Sequence, residues 1–196
     1  MSKKKVLENM YGSKMNIIEA RVRRFVALAL DWYFSQVIVD LPFVFLLNKT
    51  KAFTPETFQL ETYGISTGTM LGIYALIVGI IYYIIIPCYV WKGQTLGKKI
   101  TGVRIVTENY EPVTLPILLK REIIGSTILE GGLIIIATYI RKFIALFGYT
   151  EIARYLKYLA WGITIASAIF AYVNKQSQSF HDKIAHTYVV LNKIVK

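Results

Sequence analysis

The stretch Met70–Trp91 reads MLGIYALIVGIIYYIIIPCYVW, 22 residues without a single charge. A bilayer core about 30 Å thick is crossed by about 20 mostly apolar residues in a helix. A helix is required because every backbone N–H and C=O in hydrocarbon must find its partner inside the segment. Working outward, Phe25–Leu47 is one residue longer, and Ile123–Ile140 is apolar apart from Glu130 and a few Gly, Ser and Thr. Tyr158–Val173 is short and reaches spanning length only by taking in Tyr155 and Leu156, with Lys157 snorkelling outward. One such run would fit a buried helix of a water-soluble protein, but four runs in 196 residues predict an all-α membrane protein with four transmembrane helices. The spans are placed at about 25–47, 70–91, 123–140 and 155–173. Trp32, Tyr33, Tyr89, Trp91, Tyr139 and Tyr158 sit toward span ends, where amphipathic rings favour the headgroup level.

Composition agrees. Hydrophobic residues make up 55% of the chain, charged residues 18%, and the mean hydropathy is +0.46, which excludes disorder and points away from a water-soluble globule. The net charge of +11 would suggest nucleic acid in a soluble chain; here it is read as orientation and contact with anionic headgroups, with no nucleic-acid partner. Of the 23 Lys and Arg, 17 lie before Phe25, between Lys92 and Glu122, or after Val173. Cytoplasmic segments retain such an excess, so both termini and the middle loop are expected in the cytoplasm, in a multi-pass protein of the inner membrane.

Residues 1–24 form a basic N-terminal segment, in which Met15–Arg24 could lie as a short interfacial helix or act as a simple positive anchor. Residues 25–190 are the transmembrane domain and 191–196 a tail. Met1–Lys5 resembles the start of a signal peptide, but the first apolar run begins twenty residues later and lacks a small-residue cleavage site.

The middle loop runs Gly93-Gln94-Thr95-Leu96-Gly97-Lys98-Lys99. Its spacing misses the Walker phosphate loop, so Lys98 and Lys99 are read as headgroup contacts. Ile100–Thr107 alternates like a strand, Thr114 looks like an N-cap with Pro116 in the first turn, and Tyr188–Leu191 could pair with Ile100–Val106. The loop is thus expected to be small and structured. His181 and His186 are five apart, unlike the zinc spacing of four, and Cys88 is alone inside a span. No metal, cofactor or enzymatic nucleophile is expected.

Arg23, Arg24, Ala27 and Asp31, the Gly93–Lys99 stretch with Gly102-Val103-Arg104-Ile105-Val106, Arg121-Glu122, and His181-Asp182-Lys183 through Thr187 to Val190 together resemble the RDD family of bacterial membrane proteins. That family takes its name from one arginine and two aspartates. The resemblance assigns the arginine to Arg24 and the aspartates to Asp31 and Asp182, and it implies an architecture together with a suspicion of transport whose ligand is unknown.

Carboxylates inside a span are costly and mark a bundle interior or a functional site. Asp31 and Glu130 are six and seven residues into their spans, about 9 and 10 Å deep at 1.5 Å per residue. They are expected to face each other, two like charges that could respond to protons or cations. Arg24 is on Asp31's face two turns lower; Tyr82 and Tyr83 approach the same half; Asp40 falls on nearly the opposite face. Arg24, Asp31, Glu130 and Tyr83 are therefore the candidates for an ion or solute site, with Asp182, Gly97 and Lys98 organising the cytoplasmic face. These charges could equally lock the helices together. Two functions stand at this level: a small transporter of an unknown ion or solute, for which four short spans suggest a homo-oligomer, and a non-transporting module that recruits a protein or senses anionic lipid.

Overall fold

The computed structural model describes residues 14–47, 55–174 and 176–192. The signal-like residues 1–5, most of the basic N-terminal segment and the end of the tail lie outside the described residues.

Helix α1 (Lys14–Leu47) is 34 residues long, so the expected interfacial segment and the first span are one rod. At 1.5 Å per residue it measures about 50 Å, and its first turns, with Arg21, Arg23 and Arg24, project past a hydrocarbon core of about 30 Å. Pro42 lies inside it and cannot donate to the carbonyl of Ile38. The hydroxyl of Tyr74 donates to that oxygen instead at 3.0 Å, so the proline leaves no orphaned backbone acceptor there.

Two short 3₁₀ turns, Pro55–Phe58 and Leu60–Tyr63, lead into α2 (Gly64–Ile80), which continues as a π-helical stretch, Ile81–Val90. Then come α3 (Leu96–Thr101), β1 (Val103–Thr107) and α4 (Leu115–Leu119), which continues as a second π-helical stretch, Lys120–Glu130. Helices α5 (Ile135–Leu146), α6 (Thr150–Val173) and α7 (Phe180–Ala185) and strand β2 (Thr187–Leu191) complete the chain. Among the described residues, three helical segments are long and apolar enough to cross a membrane, and α4 with its continuation plus α5 makes a fourth if the bent pair counts as one.

Several expectations change. The third span is not an unbroken helix over 123–140: it breaks at 131–134 and bends by 49°. Gly131 takes a left-handed conformation, φ +64°, and side chains satisfy the backbone groups the break frees. Arg141 donates to Gly131 O at 2.6 Å, Gly132 N donates to Thr164 Oγ1 at 3.0 Å, and Thr164 Oγ1 donates to Glu130 O at 3.1 Å. The fourth helix begins at Thr150 rather than Tyr155, leaving only a tight turn after α5 in place of the interval expected between spans at 123–140 and 155–173. The strand begins at Val103 rather than Ile100, because Leu96–Thr101 is a helical turn closed by left-handed Gly102. Thr114 holds the N-cap position of α4 but makes no side-chain cap bond.

The expected pairing of loop and tail is present. β1 and β2 are antiparallel, with Val103 opposite Leu191 and Thr107 opposite Thr187, so the molecule is helical with one two-stranded ribbon rather than purely α. The ribbon packs Val103, Ile105, Val106 and Val190 against Leu118 and Ile84, one apolar core. Val39, Phe43, Leu60, Leu71, Ile135 and Tyr139 form a second at the opposite end of the bundle. There α2 meets α5 closely, since a side chain at Gly72 would collide with Phe143 and one at Gly79 with Ile136. The start of α1, the middle loop and the tail thus gather at one end, and the 3₁₀ turns and the α5–α6 turn at the other.

Candidate functional site

Asp31 faces inward from α1 and is buried. Its Oδ1 accepts from Tyr82 Oη at 2.8 Å and Gly97 N at 2.8 Å; its Oδ2 accepts from Thr95 Oγ1 at 2.5 Å and Lys98 Nζ at 3.1 Å. Four donors, one of them an ammonium, thus compensate a charge that hydrocarbon would not tolerate. The donors come from the π stretch after α2 and from the start of α3, which lies against α1. Gly97 makes that approach possible: a Cβ there would stand 2.5 Å from Ala27 O and 2.7 Å from Asp31 Oδ1.

Two sequence readings are corrected here. Lys98 turns inward to Asp31 rather than out to headgroups, while Lys99 Nζ sits 4.3 Å from the centre of the Trp91 ring. Tyr82, not Tyr83, reaches the carboxylate. Tyr83 Oη instead lies 3.0 Å from Ser35 Oγ and donates to the backbone oxygen of Asp31 at 3.3 Å.

Asp182, also fully buried, is the N3 residue of α7 in a capping box with Ser179. Oδ2 accepts from Ser179 N at 3.1 Å, Ser179 Oγ at 2.8 Å and Arg24; Oδ1 accepts from Arg121 Nε at 3.1 Å and Nη2 at 2.9 Å. Burial alone would raise this carboxyl, but Arg24, His181 and Arg121 hold it well below the usual carboxylate range. Arg121 also pairs with Glu122, and Arg24 donates to Ser177 O and to Ser179 Oγ at 2.8 Å. Arg24 thus reaches the tail rather than Asp31, whose cation is Lys98.

Glu130, at the end of the second π stretch, accepts from Ser167 Oγ at 2.6 Å and His181 N at 3.0 Å on Oε1, and from His181 Nδ1 at 2.9 Å on Oε2. A side chain at Gly125 would meet His181 Cβ at 2.6 Å, so α7 lies directly on this helix. The other ring nitrogen of His181 is 2.9 Å from Ser179 Oγ. Ser179 has one proton, and with that proton on Asp182 its oxygen can only accept, which requires His181 to donate from both nitrogens as imidazolium. A neutral His181 that keeps Nδ1–H toward Glu130 must instead take the Ser179 proton. One proton on His181 therefore redirects the Ser179 hydroxyl between Asp182 and the imidazole.

Arg24, Asp31, Glu130, Tyr83 and Lys98 line one cavity of about 230 Å³, together with Arg121, Glu122 and His181. Asp182 and Gly97 stand behind this lining and hold its members in place. Asp31 and Glu130 reach the same cavity, but each carries its own cationic or imidazole partner, so the expected direct coupling of two carboxylates is replaced by two separate pairs. Asp40 bonds within its own helix to Gln36, away from this site. The described residues contain no group of three or more His, Cys, Asp and Glu arranged to hold a metal.

Ser167 and Ser179 were not among the residues singled out from sequence, and Arg121, Glu122 and His181 entered only as parts of motifs, not as site candidates. The Ser179-x-x-Asp182 spacing does carry a capping-box signal, whereas His181 was weighed with His186 as a metal pair and otherwise named only in the His181-Asp182-Lys183 motif.

A family model described as the RDD family matches residues 20–186. The chain is similar to an uncharacterized protein, YckC, of Bacillus subtilis (strain 168), with 29% identity over 113 residues, 58% of this chain. That match spans 56% of the relative's own length. No solved structure matches this chain significantly.

Proposed function

The chain belongs to the RDD family, and on that premise we propose that it is a four-span protein of the bacterial inner membrane, both termini cytoplasmic, that transports a small ion or solute through a proton- or cation-responsive carboxylate site. The orientation rests on the sequence count of 17 basic residues before Phe25, between Lys92 and Glu122 or after Val173, and the described parts of those three segments gather at one end of the bundle. The reading is carried by one observation: the cavity of about 230 Å³ collects Arg24, Asp31, Tyr83, Lys98, Glu130 and His181 from five separate elements of the chain.

Each carboxylate is held by a partner that can let go. Lys98 sits on a flexible four-carbon stem, so its departure from Asp31 opens an anionic site to an arriving cation. A proton leaving His181 weakens its hold on Glu130 and draws the Ser179 hydroxyl from Asp182, loosening the cap of α7 where the tail closes the site. Proton and solute would then compete for the same groups, the condition for coupled exchange. Four spans leave little material for a complete path, which favours a homo-oligomer.

The test is a flux screen of the purified chain in vesicles against Na⁺, K⁺, H⁺ and small organic solutes. Proton-linked flux in the wild type, lost in Asp31→Asn and in Glu130→Gln with both proteins still folded, is the expected result. Flux unchanged in the two variants overturns the reading. The rival, a module that recruits a protein or senses anionic lipid through its basic loop, would be supported if Lys98→Glu and Lys99→Glu abolished function while Asp31→Asn left it intact. It is weakened by the geometry of Lys98, which is engaged with Asp31.

A further inference from the structure

A bare ion needs neither the volume of this cavity nor its apolar mouth. The mouth lies between α1 and α6, which flank the cavity while packing little against one another; α6 rests instead on α5 and on the helix after α4. Its rim is apolar and exposed on span helices, hence toward lipid: Phe25, Leu28 and Trp32 on α1 and Tyr172 on α6.

The charge at the rim is also distinctive. Arg24 and Arg121 share Asp182, Arg121 also holds Glu122, and Lys98 holds Asp31. Among the described residues, Arg21 donates only to neutral oxygens, Ser177 Oγ at 2.9 Å and Asn174 O at 3.1 Å, and its guanidinium lies 5.1 Å from the centre of the Tyr172 ring. Arg21, Phe25, Leu28 and Trp32 are spaced four, three and four apart, so they share one face of α1. From Arg21 to Trp32 that face rises about 16 Å, close to half of the ~30 Å hydrocarbon core.

We propose that this cleft takes an anionic single-chain amphiphile from the bilayer, its carboxylate or phosphate head at Arg21 and its tail along Phe25, Leu28 and Trp32. Because the head end opens onto the charged cavity, the amphiphile reaches the groups of the transport site without crossing water. The inference rests on the transport reading for movement of this solute, not for its binding.

The experiment places the full chain in nanodiscs of zwitterionic phosphatidylcholine with a photoreactive palmitate and maps the adducts by mass spectrometry. Adducts concentrated between Arg21 and Trp32 of α1 and at Ala168–Tyr172 of α6, displaced by unlabelled palmitate and not by acetate, are expected. Arg21→Gln should lower this labelling about tenfold, the loss of one charge-assisted hydrogen bond, and Arg21→Lys should retain most of it. Leu28→Trp, which narrows the mouth and leaves Arg21 alone, should lower it as well. The inference is overturned by adducts spread evenly over the exposed faces of α1, α2 and α6, by equal labelling with palmityl alcohol, or by chain-to-chain cross-links filling the gap. Cation flux measured in parallel separates the two readings: localised adducts without flux retire transport and support the site, and flux with even adducts does the reverse.

Discussion

Asp182→Asn is nearly isosteric, yet it removes a buried charge that takes donors from Arg24, Arg121 and Ser179. An asparagine keeps one acceptor oxygen and turns an NH₂ toward groups that are themselves donors. Removing one partner of a buried ion pair costs about 3–5 kcal/mol, because the remaining charge stays buried without compensation. The damaged capping box costs about 0.5–2 kcal/mol, but the same carboxylate serves both, so the two overlap. About 4 kcal/mol is expected, roughly a thousandfold in the folded-to-unfolded ratio. The assay is denaturant unfolding in detergent micelles at pH 7, followed by tryptophan fluorescence. Acid supplies an independent check. The folded carboxyl is held well below the range of an unfolded carboxylate, so its contribution is full above that range and is lost as pH falls through the depressed folded value. Wild type should therefore lose stability below about pH 4, and the asparagine variant should lack that component. A variant within about 1 kcal/mol of wild type at pH 7, or one with an identical acid profile, refutes the argument.

Gly97→Ala should force α3 off α1 and pull Gly97 N, Thr95 and Lys98 from Asp31, costing about 1–3 kcal/mol in the same unfolding assay, and Asp31→Asn should not restore it, because Ala27 O also obstructs the new methyl. Tyr74→Phe should cost about 1 kcal/mol by orphaning Ile38 O, and much less in a Pro42→Ala background, where the restored N–H reclaims that carbonyl; a double-mutant cycle measures the difference. Tyr82→Phe removes a bond to a carboxylate and should cost about 1.5–3 kcal/mol, whereas Tyr83→Phe, which leaves all four donors to Asp31 in place, should cost about 1 kcal/mol.

The spanning helices were legible because run length and absence of charge are local properties of the sequence. The break at Gly131 was not: Gly131 and Gly132 sit in an apolar run, and what stabilises the break is Arg141 and Thr164, supplied from α5 and α6. The start of the fourth span was misplaced because Glu151 and Arg154 look like loop residues, although they pair across one turn of α6. The ribbon was readable from β-branched alternation in Val103–Thr107 and Tyr188–Leu191.

At the site, depth along each helix correctly placed Asp31 and Glu130 at one cavity. Depth carries no information about partners, which come from 64 to 67 residues away for Thr95, Gly97 and Lys98, and 51 away for His181. Lys98 looked like a headgroup lysine because a basic residue beside a membrane has the same sequence appearance whether it turns outward or inward. The loop that carries it is nonetheless the most readable part of the site, since Gly97 is the residue whose missing side chain lets the loop lie on α1.

Charge movement upon a pH jump, recorded from the purified chain in vesicles adsorbed on a solid-supported membrane, tests the central claim most directly. A transient current in the wild type, abolished in Asp31→Asn and displaced along the pH axis in His181→Gln, is the predicted result. No current in the wild type, or the same current in all three proteins, would contradict it.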